Sequence, residues 1–441
     1  KFRKHCMKNT EFKRRRQQLM RMMGEDSIAI LPTASMHIRN RDVHYPYRAD
    51  SDFYYLTGFS EPEAVAVLLP GRAQGEYLLF CRESDPTKEL WDGRRAGLAG
   101  AVSLFAADDA VPYTALDDIV PGLLEQRNRV FYAMGCNNAF DQRLSGWVNQ
   151  VRAQSRSGAH APTEFLALDY YLHDMRLYKS RSETSVMRKA AKLSAAAHKT
   201  LMQNCQPGMY EYQLAGWFQH YCQQHGATEL AYPSIVGGGN NACVLHYIEN
   251  QEVLQDGDLV LIDAGCEYAS YASDITRTFP VNGRFSEAQA QLYQVVLDAQ
   301  LAAIAQVRVG KHWNQPHEAA VRTLTKGLLR LGLLKGSLAN ALKNKAYQKY
   351  FVHRTGHWLG MDVHDVGDYK IDGHWRELEP GMVLTIEPGL YIPLGSKGVA
   401  KKWQGIGIRI EDDVLVTRDE PDVLSRDVPK CIADIEALMA A

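Results

Sequence analysis

The stretch HRTGHWLGMDVHD, residues 353–365, decides how the second half of the chain is interpreted, because it holds three histidines within thirteen positions. His353 and His357 stand four residues apart, a spacing that lets two imidazoles on one helix face share a zinc ion. The helical zinc-peptidase motif has a glutamate directly after its first histidine, whereas this chain has Arg354 there. Two glycines in the stretch also disfavour a regular helix. We therefore predict an irregular segment, and the roles of His353, His357 and His364 depend on the rest of the chain.

Two apolar segments elsewhere end on a carboxylate. DLVLIDAG (258–265) predicts a buried strand that ends on Asp263, and MVLTIEPG (382–389) predicts another that ends on Glu387. A single acid at a strand end is ordinarily a solvated turn residue. Burial of such an acid without a cation or a hydrogen-bond donor is strongly unfavourable. Two such strand ends in one chain therefore indicate a polar or ionic partner.

Two further segments alternate between apolar and polar residues. In YASDITRTF (271–279) Asp274 shares one strand face with two threonines, and in GIGIRIEDD (405–413) Glu411 shares a face with Arg409. We expect both acids to lie within strands whose opposite face belongs to the core. Four carboxylates and one imidazole would form a hard, oxygen-rich ligand set, which suits a pair of divalent cations.

The segments HWLGMDVHDVGDY, TIEPGLYI and GIGIRIEDD, preceded by the two aspartates, resemble the aminopeptidase P branch of the creatinase/methionine aminopeptidase ("pita-bread") metallopeptidases. YPYRADSDFYYLTGFSEPEAV (45–65) and ELWDGRRAG (89–97) are similar to the same family, so the resemblance covers nearly the whole chain. It implies an α/β two-domain protein. A creatinase-like N-terminal α/β domain would occupy residues 1–176, and a pita-bread α+β catalytic domain would occupy residues 177–441.

The resemblance implies that two divalent metal ions are bound by Asp263, Asp274, His357, Glu387 and Glu411. Asp274 and Glu411 would bridge the two ions, Asp263 would hold one, and His357 and Glu387 would hold the other. His357 would then be the one metal ligand among the three histidines of the opening stretch. Carboxylate hardness and the lack of a thiolate favour manganese.

Further residues acquire roles through the same resemblance. His364 would contact the substrate and stabilise the reaction intermediate, and His246 would lie near the scissile peptide bond. Glu387 would carry a proton between the attacking solvent and the leaving nitrogen. Arg409 would orient a carboxylate or contact the substrate. The implied substrate-binding residues of this half are His246, His353, His364, Tyr391 and Arg409.

The implied reaction is the release of the N-terminal residue from peptides with proline at the second position. A prolidase is the alternative, since it shares the metal ligands, accepts only Xaa-Pro dipeptides, and needs a group that binds the dipeptide carboxylate. A non-catalytic pita-bread binding protein is a second alternative, because one fold hosts several functions. The full ligand set disfavours the binding protein. The segments GHWLG and WDGRR resemble the aminopeptidase more than the prolidase.

The N-terminal half alternates between apolar runs and polar or helical segments, which predicts an α/β domain. The runs expected to form strands are SIAIL (27–31), AVAVLL (64–69), YLLF (77–80) and VFYAM (130–134). The resemblance implies that this domain builds a homotetramer, a dimer of dimers, and narrows access to the site. A neighbouring subunit would insert Trp91 near the site, and Asp42 and Arg156 would help to shape it. Ser180 and Glu183 predict a capped helix start just beyond the domain boundary.

Composition limits the class of protein. The 441 residues carry a net charge of −1, which gives no reason to expect a nucleic-acid or membrane partner. No apolar run reaches the ~20 residues of a membrane helix, and the basic segment 13–23 reads as an amphipathic helix rather than a targeting signal. The eight cysteines include no Cys-x-x-Cys pair, which fits free thiols in the cytoplasm.

Overall fold

The computed structural model describes residues 7–441. The chain forms two compact units, one that ends at Met175 and one that runs from Arg176 to Ala441. The elements of the first part are α1 (Asn9–Met23), β1 (Ser27–Pro32), β2 (Ile38–Asn40), β3 (Val43–His44), α2 (Ser51–Thr57), β4 (Val65–Leu68), β5 (Tyr77–Cys81), α3 (Pro86–Asp92), α4 (Gly97–Phe105), β6 (Asp109–Pro112), α5 (Leu116–Leu124), β7 (Arg129–Tyr132), α6 (Asn138–Ala153), β8 (Glu164–Ala167) and α7 (Leu168–Leu177).

A six-stranded sheet in the order β6-β5-β4-β1-β7-β8 forms the centre of the first unit. The four predicted runs coincide with β1, β4, β5 and β7, and their side chains are almost wholly buried. The apolar faces of α5 and α6 pack against the sheet and complete the core. Helix α1 buries Phe12, Leu19, Met20 and Met23, so the predicted amphipathic helix is confirmed.

The second unit begins with helices and continues with short, irregular strands. Its elements are α8 (Arg181–Asn204), α9 (Glu211–Gln224), β9 (Glu229–Leu230), β10 (Ile235–Gly238), β11 (Leu259–Asp263), β12 (Cys266–Tyr268), β13 (Tyr271–Ala272), β14 (Thr276–Pro280), α10 (Glu287–Ile304), α11 (Asn314–Arg330), α12 (Leu338–Lys343), β15 (Lys370–Ile371), β16 (His374–Trp375), β17 (Val383–Ile386), β18 (Gly389–Ile392), β19 (Ile406–Arg409), β20 (Asp412–Leu415), β21 (Asp422–Val423) and α13 (Ile432–Met439). The predicted capping box is confirmed, since the Ser180 and Glu183 side chains bond to each other's backbone at the start of α8.

Three antiparallel arrangements carry the acids. Strand β11 lies between β10 and β14, so its last residue, Asp263, pairs with Ile235 on one side and Thr276 on the other. Strand β17 pairs with β20, and β18 pairs with β19. Both apolar strands end at their acids as predicted, because β11 finishes on Asp263 and β17 finishes directly before Glu387.

The expectation that Asp274 and Glu411 lie inside continuous strands is wrong. Asp274 falls in the gap between β13 and β14, where its backbone N–H donates to the carboxylate of Asp413 at 3.2 Å instead of joining a strand ladder. Glu411 falls between β19 and β20, where the chain changes partner from β18 to β17. These breaks release both acids from the regular alternation of a strand.

The stretch 353–365 contains no helix, as predicted. It runs beside β17 instead, because the carbonyl of Thr355 accepts from the N–H of Glu387 and the carbonyl of His357 accepts from the N–H of Thr385. A side chain at Gly356 would place its Cβ 2.0 Å from the carbonyl oxygen of Thr385. Glycine is therefore required for this approach, which holds His357 next to the end of β17.

A buried cation joins the strands that surround these acids. Arg277, which is fully buried, donates to the carboxylate of Asp412 at 2.7 Å and to the carbonyl of Glu411 at 2.6 Å. Asp412 also accepts from Gln300 and from Lys430. Burial alone would raise the pKa of Asp412, but the charges of Arg277 and Lys430 outweigh burial and lower it. The backbone of Glu411 is thus fixed by an ion pair that water does not reach.

Within residues 7–441 we find no helix that combines the length and the apolar character needed to cross a membrane.

We expect Arg277→Met to lower the free energy of unfolding by about 3–5 kcal/mol, because the change leaves Asp412 buried without its main partner. The measurement is equilibrium unfolding in urea. The matched control is Arg284→Met, which removes an arginine with a 74% exposed side chain from its pair with Glu436. That exposed pair should contribute no more than about 1 kcal/mol. Equal losses in the two variants would contradict a structural role for the Arg277–Asp412 pair.

Candidate metal centre

Three side chains from distant parts of the chain converge at the break points of the strands. One ligand atom from each of Asp274, His357 and Glu411 lies within 4.8 Å of the others, which is the spacing of a group that can hold a metal ion. His357 Nε2 lies 3.3 Å from an oxygen of Asp274 and 3.8 Å from an oxygen of Glu387. The structure therefore brings four of the five predicted ligands together around one imidazole nitrogen.

The imidazole of His357 is already oriented for a metal. Its Nδ1 lies 2.9 Å from the carbonyl of Trp358, so Nδ1–H donates there and Nε2 faces Asp274 and Glu387. Burial lowers the pKa of His357, but the hydrogen bond and charge of Asp274 outweigh burial and raise it to about 9. The acids thus draw a positive charge to the position that a cation would occupy.

Asp263 reaches the same group of acids through a tyrosine. The Tyr232 hydroxyl lies 2.6 Å from an oxygen of Asp263 and 2.5 Å from an oxygen of Asp274. One hydroxyl proton serves only one acceptor at a time, so the second carboxylate needs another proton or a cation. The other oxygen of Asp263 lies 2.6 Å from Arg409 and the other oxygen of Asp274 lies 3.3 Å from His357. The demand therefore concerns the two oxygens that share Tyr232, and a cation between Asp263 and Asp274 would meet it.

The acids repel one another as they lie. Burial raises the pKa of Glu411 well above its ordinary value, and the charges of Asp274, Glu387 and Asp263 raise it further. Burial also raises the pKa of Glu387 to about 7, although His357 and Arg409 oppose the increase. Desolvation and like charge are the two causes that cations relieve. The donor set of four carboxylates and one imidazole, without a thiolate, suits hard divalent ions.

Arg409 links the acids to the adjoining wall of the site. It donates to Asp263 at 2.6 Å and to the hydroxyl of Tyr391 at 3.0 Å. The Tyr391 hydroxyl in turn lies 2.8 Å from His353 Nε2, while His353 Nδ1 donates to the carbonyl of Arg354. Burial, with the Arg409 charge, lowers the pKa of His353 to about 3, so this imidazole is neutral and accepts the tyrosine proton.

A cavity of about 500 Å³ opens above the acids. His246, His353 and His364 line it, and the His364 ring meets the His357 ring edge to face with 4.3 Å between centroids. Burial lowers the pKa of His364, and the neighbouring His357 lowers it further. Tyr391 is buried beside His353 rather than in the cavity lining.

The three predicted site residues of the first unit are all at its surface. Trp91 belongs to α3 and is 83% exposed, Asp42 precedes β3, and Arg156 follows α6. All three are exposed, and none belongs to the described residues that line the cavity. Their predicted roles stay predictions.

Two residues that contact the acids of the site were not predicted from the sequence. Tyr232 precedes β10 in an irregular segment, and nothing in AYPS marks it as a partner of two acids. Asp413 stands in the quoted EDD motif, yet its role depends on a contact with the backbone of Asp274, 139 residues away. Burial raises the pKa of Asp413 well above its ordinary value, and the charge of Asp274 raises it further.

The fold and the cluster define a candidate metal centre built on irregular strand ends. Two family profiles match the chain: metallopeptidase family M24 over residues 185–418, and the aminopeptidase P N-terminal domain over residues 12–132. A protein named Xaa-Pro aminopeptidase from Escherichia coli K12 is 43% identical over 432 residues, 98% of each chain.

Solved structures agree. Aminopeptidase PepP of Pseudomonas aeruginosa superposes with a TM-score of 0.98 at 57% identity over 98% of each chain. Proline aminopeptidase P II from Yersinia pestis gives a TM-score of 0.95 at 45% identity, covering 98% of this chain and 100% of that one. The chain belongs to metallopeptidase family M24. The predicted architecture and the class of metallo-exopeptidase are thereby confirmed.

We expect Glu411→Gln to stabilise the chelator-treated protein, because it removes the charge of a buried carboxyl group. A carboxyl group with a raised folded pKa contributes stability below its unfolded pKa, and this is lost as pH rises through the folded pKa. The advantage of the variant over the wild type should therefore grow as pH rises above the ordinary pKa of a glutamate. Thermal unfolding after chelation measures it.

Added divalent ion should reverse that order. The wild type gains about 2.7 kcal/mol at a hundred times the dissociation constant, whereas Glu411→Gln gains less at the same concentration because it has lost a ligand oxygen. Glu420→Gln is the control, since the Glu420 side chain is 72% exposed and pairs only at the surface. A chelated variant that is less stable than the chelated wild type at every pH would refute the repulsion among these acids.

Proposed function

We propose that this protein is a metal-dependent aminopeptidase that releases the N-terminal residue from peptides with proline at the second position. The convergence of Asp274, His357 and Glu411 at the floor of an open cavity carries the proposal. Relatives named Xaa-Pro aminopeptidase, similar over 98% of the chain, support the substrate class.

The proposed cofactor is a pair of divalent ions, with manganese as the most suitable. Asp274 and Glu411 would bridge the ions, Asp263 would hold one, and His357 and Glu387 would hold the other. Hard carboxylate oxygens and a single imidazole support manganese over softer metals. Bound divalent ions supply a nucleophile near neutral pH by lowering the pKa of a water molecule.

Side chains around the cavity would transfer the proton, stabilise the developing negative charge and bind the peptide. Glu387 would take the proton from the attacking water and deliver it to the leaving nitrogen, a role that typically contributes about 10²–10⁴-fold. His364, beside His357, would donate to the oxygen on which negative charge develops. His246, across the same cavity, would contact the peptide near the scissile bond.

A proline preference needs a firm wall for a pyrrolidine ring. His353, Tyr391 and Arg409 are joined by hydrogen bonds, and this network fixes the orientation of the imidazole in the wall. The rest of the lining includes apolar side chains suited to an apolar ring, namely Pro233, Ile235, Leu245, Ile248 and Val363. We therefore assign the proline to the side of the cavity that His353 forms.

We further propose a cytoplasmic homotetramer, a dimer of dimers, in which the first unit restricts access to the site. The exposed Leu90 and Trp91 side chains of α3 support contact with another copy, since large apolar groups are favoured in interfaces. Asp42 and Arg156 would help to shape the approach. Light scattering at micromolar concentration should give four chains per particle, and a fully active monomer would refute the assembly.

The substrate is tested by comparing an Xaa-Pro dipeptide, an Xaa-Pro-Yaa-Zaa tetrapeptide and the matching Xaa-Ala-Yaa-Zaa tetrapeptide. With manganese present we expect release of the free N-terminal residue from both proline peptides and much less from the alanine peptide. Chromatography of the released amino acid is the measurement. Cleavage of the dipeptide alone would indicate a prolidase. Equal cleavage of the alanine and proline tetrapeptides would refute the proline preference.

A further inference from the structure

Arg354 is a cation in the cavity wall that the proposed mechanism does not use. Its side chain is exposed, and its guanidinium lies 5.2 Å from the ring centroid of Trp375. It also donates to the side-chain oxygen of Asn314. These two contacts hold the guanidinium in position but do not neutralise it.

The charge of Arg354 has no carboxylate partner. Among residues 7–441 no acidic oxygen lies within 4.0 Å of its guanidinium, whereas Arg409 in the same cavity pairs with Asp263 at 2.6 Å. Glu318 affects Arg354 only through its charge, because its carboxylate is bonded to Asn314 instead. Burial lowers the pKa of Arg354. A partly desolvated cation without a counter-ion gains from an incoming anion.

The adjacency of Arg354 and His353 indicates which part of a bound peptide would carry that anion. Arg354 directly follows His353, and its carbonyl accepts the hydrogen bond that orients the His353 ring. The proposed function assigns the proline ring to the His353 wall. Each residue of an extended peptide advances about 3.3–3.6 Å, so the residue after proline would lie one step beyond that wall. The neighbouring side chain in the wall is Arg354.

We propose that Arg354 binds a carboxylate carried by the residue that follows proline, and that it thereby favours tripeptides of the form Xaa-Pro-Yaa. The proposal rests on the proposed function. The carboxylate has two sources, the C-terminus of a tripeptide or an acidic side chain of Yaa. A guanidinium offers paired N–H donors that match the two oxygens of either group.

The test compares three substrates that differ in this carboxylate: Xaa-Pro-Ala, its C-terminal amide, and Xaa-Pro-Asp amide. We expect the manganese-loaded wild type to cleave the free acid with about 5- to 20-fold higher kcat/KM than the amide, the effect of one charge-assisted, half-exposed contact. The difference should lie mainly in KM, because the contact is equal in ground state and transition state. A higher kcat/KM for the Asp amide than for the Ala amide would show that Arg354 also accepts a carboxylate from the side chain of Yaa.

Arg354→Met should reduce the ratio of kcat/KM for the acid to kcat/KM for the amide to about one. Arg354→Lys should restore part of this ratio, since lysine keeps the charge but lacks the paired N–H donors. Lys370→Met is the matched control. Its ammonium lies 4.4 Å from the same Trp375 ring, but Lys370 is not among the residues that line the cavity. The control should keep the wild-type ratio. Added salt should lower the ratio in the wild type, because the contact is partly exposed.

Two results would overturn the role of Arg354: equal kcat/KM for acid and amide in the wild type, or an unchanged ratio in Arg354→Met. Either result leaves the proposed function intact as long as the wild type cleaves the three proline peptides. Failure of the wild type to cleave any of the three peptides would refute the proposed function, and the role of Arg354 with it.

Discussion

The structure of the second unit depends on holding buried carboxylates close together. Desolvation and mutual repulsion both oppose this arrangement. The internal cations offset this only in part, because Arg277 pairs with Asp412 outside the group, while Arg409 pairs with Asp263 and His357 with Asp274. The remaining negative charge calls for cations from solution. The acids concerned are Asp263, Asp274, Glu411 and Asp413, which are buried, and Glu387, which is partly buried.

The irregular backbone follows from this requirement. A regular strand would send Asp274 and Glu411 to positions set by its alternation, whereas the breaks let both side chains turn toward His357. Close approach of neighbouring segments makes the turns possible. At Gly265, between the two aspartates, a Cβ would lie 1.7 Å from the carbonyl of Ser273. The packed helices and the buried Arg277 hold these segments where isolated short strands would not persist.

How much of this site can be predicted from the sequence depends on how far apart in the sequence the interacting residues lie. Asp263 and Glu387 are predictable because an acid that ends an apolar strand breaks a local rule of burial. The breaks at Asp274 and Glu411 are not predictable from periodicity, since they arise where a strand exchanges partners. Tyr232 is missed for a related reason, because its contacts span 31 and 42 residues. The buried cation network around Asp412 is equally non-local and leaves no local sequence pattern.

Ion counting tests most directly whether Asp263, Asp274, His357, Glu387 and Glu411 hold two divalent ions, as proposed. The measurement is native mass spectrometry of chelated protein titrated with manganese, with isothermal titration of the same sample to give affinities. We expect saturation at two ions per chain in the wild type, with release of protons as the ions bind. A wild-type chain that saturates at a single ion, or that binds none, would contradict it.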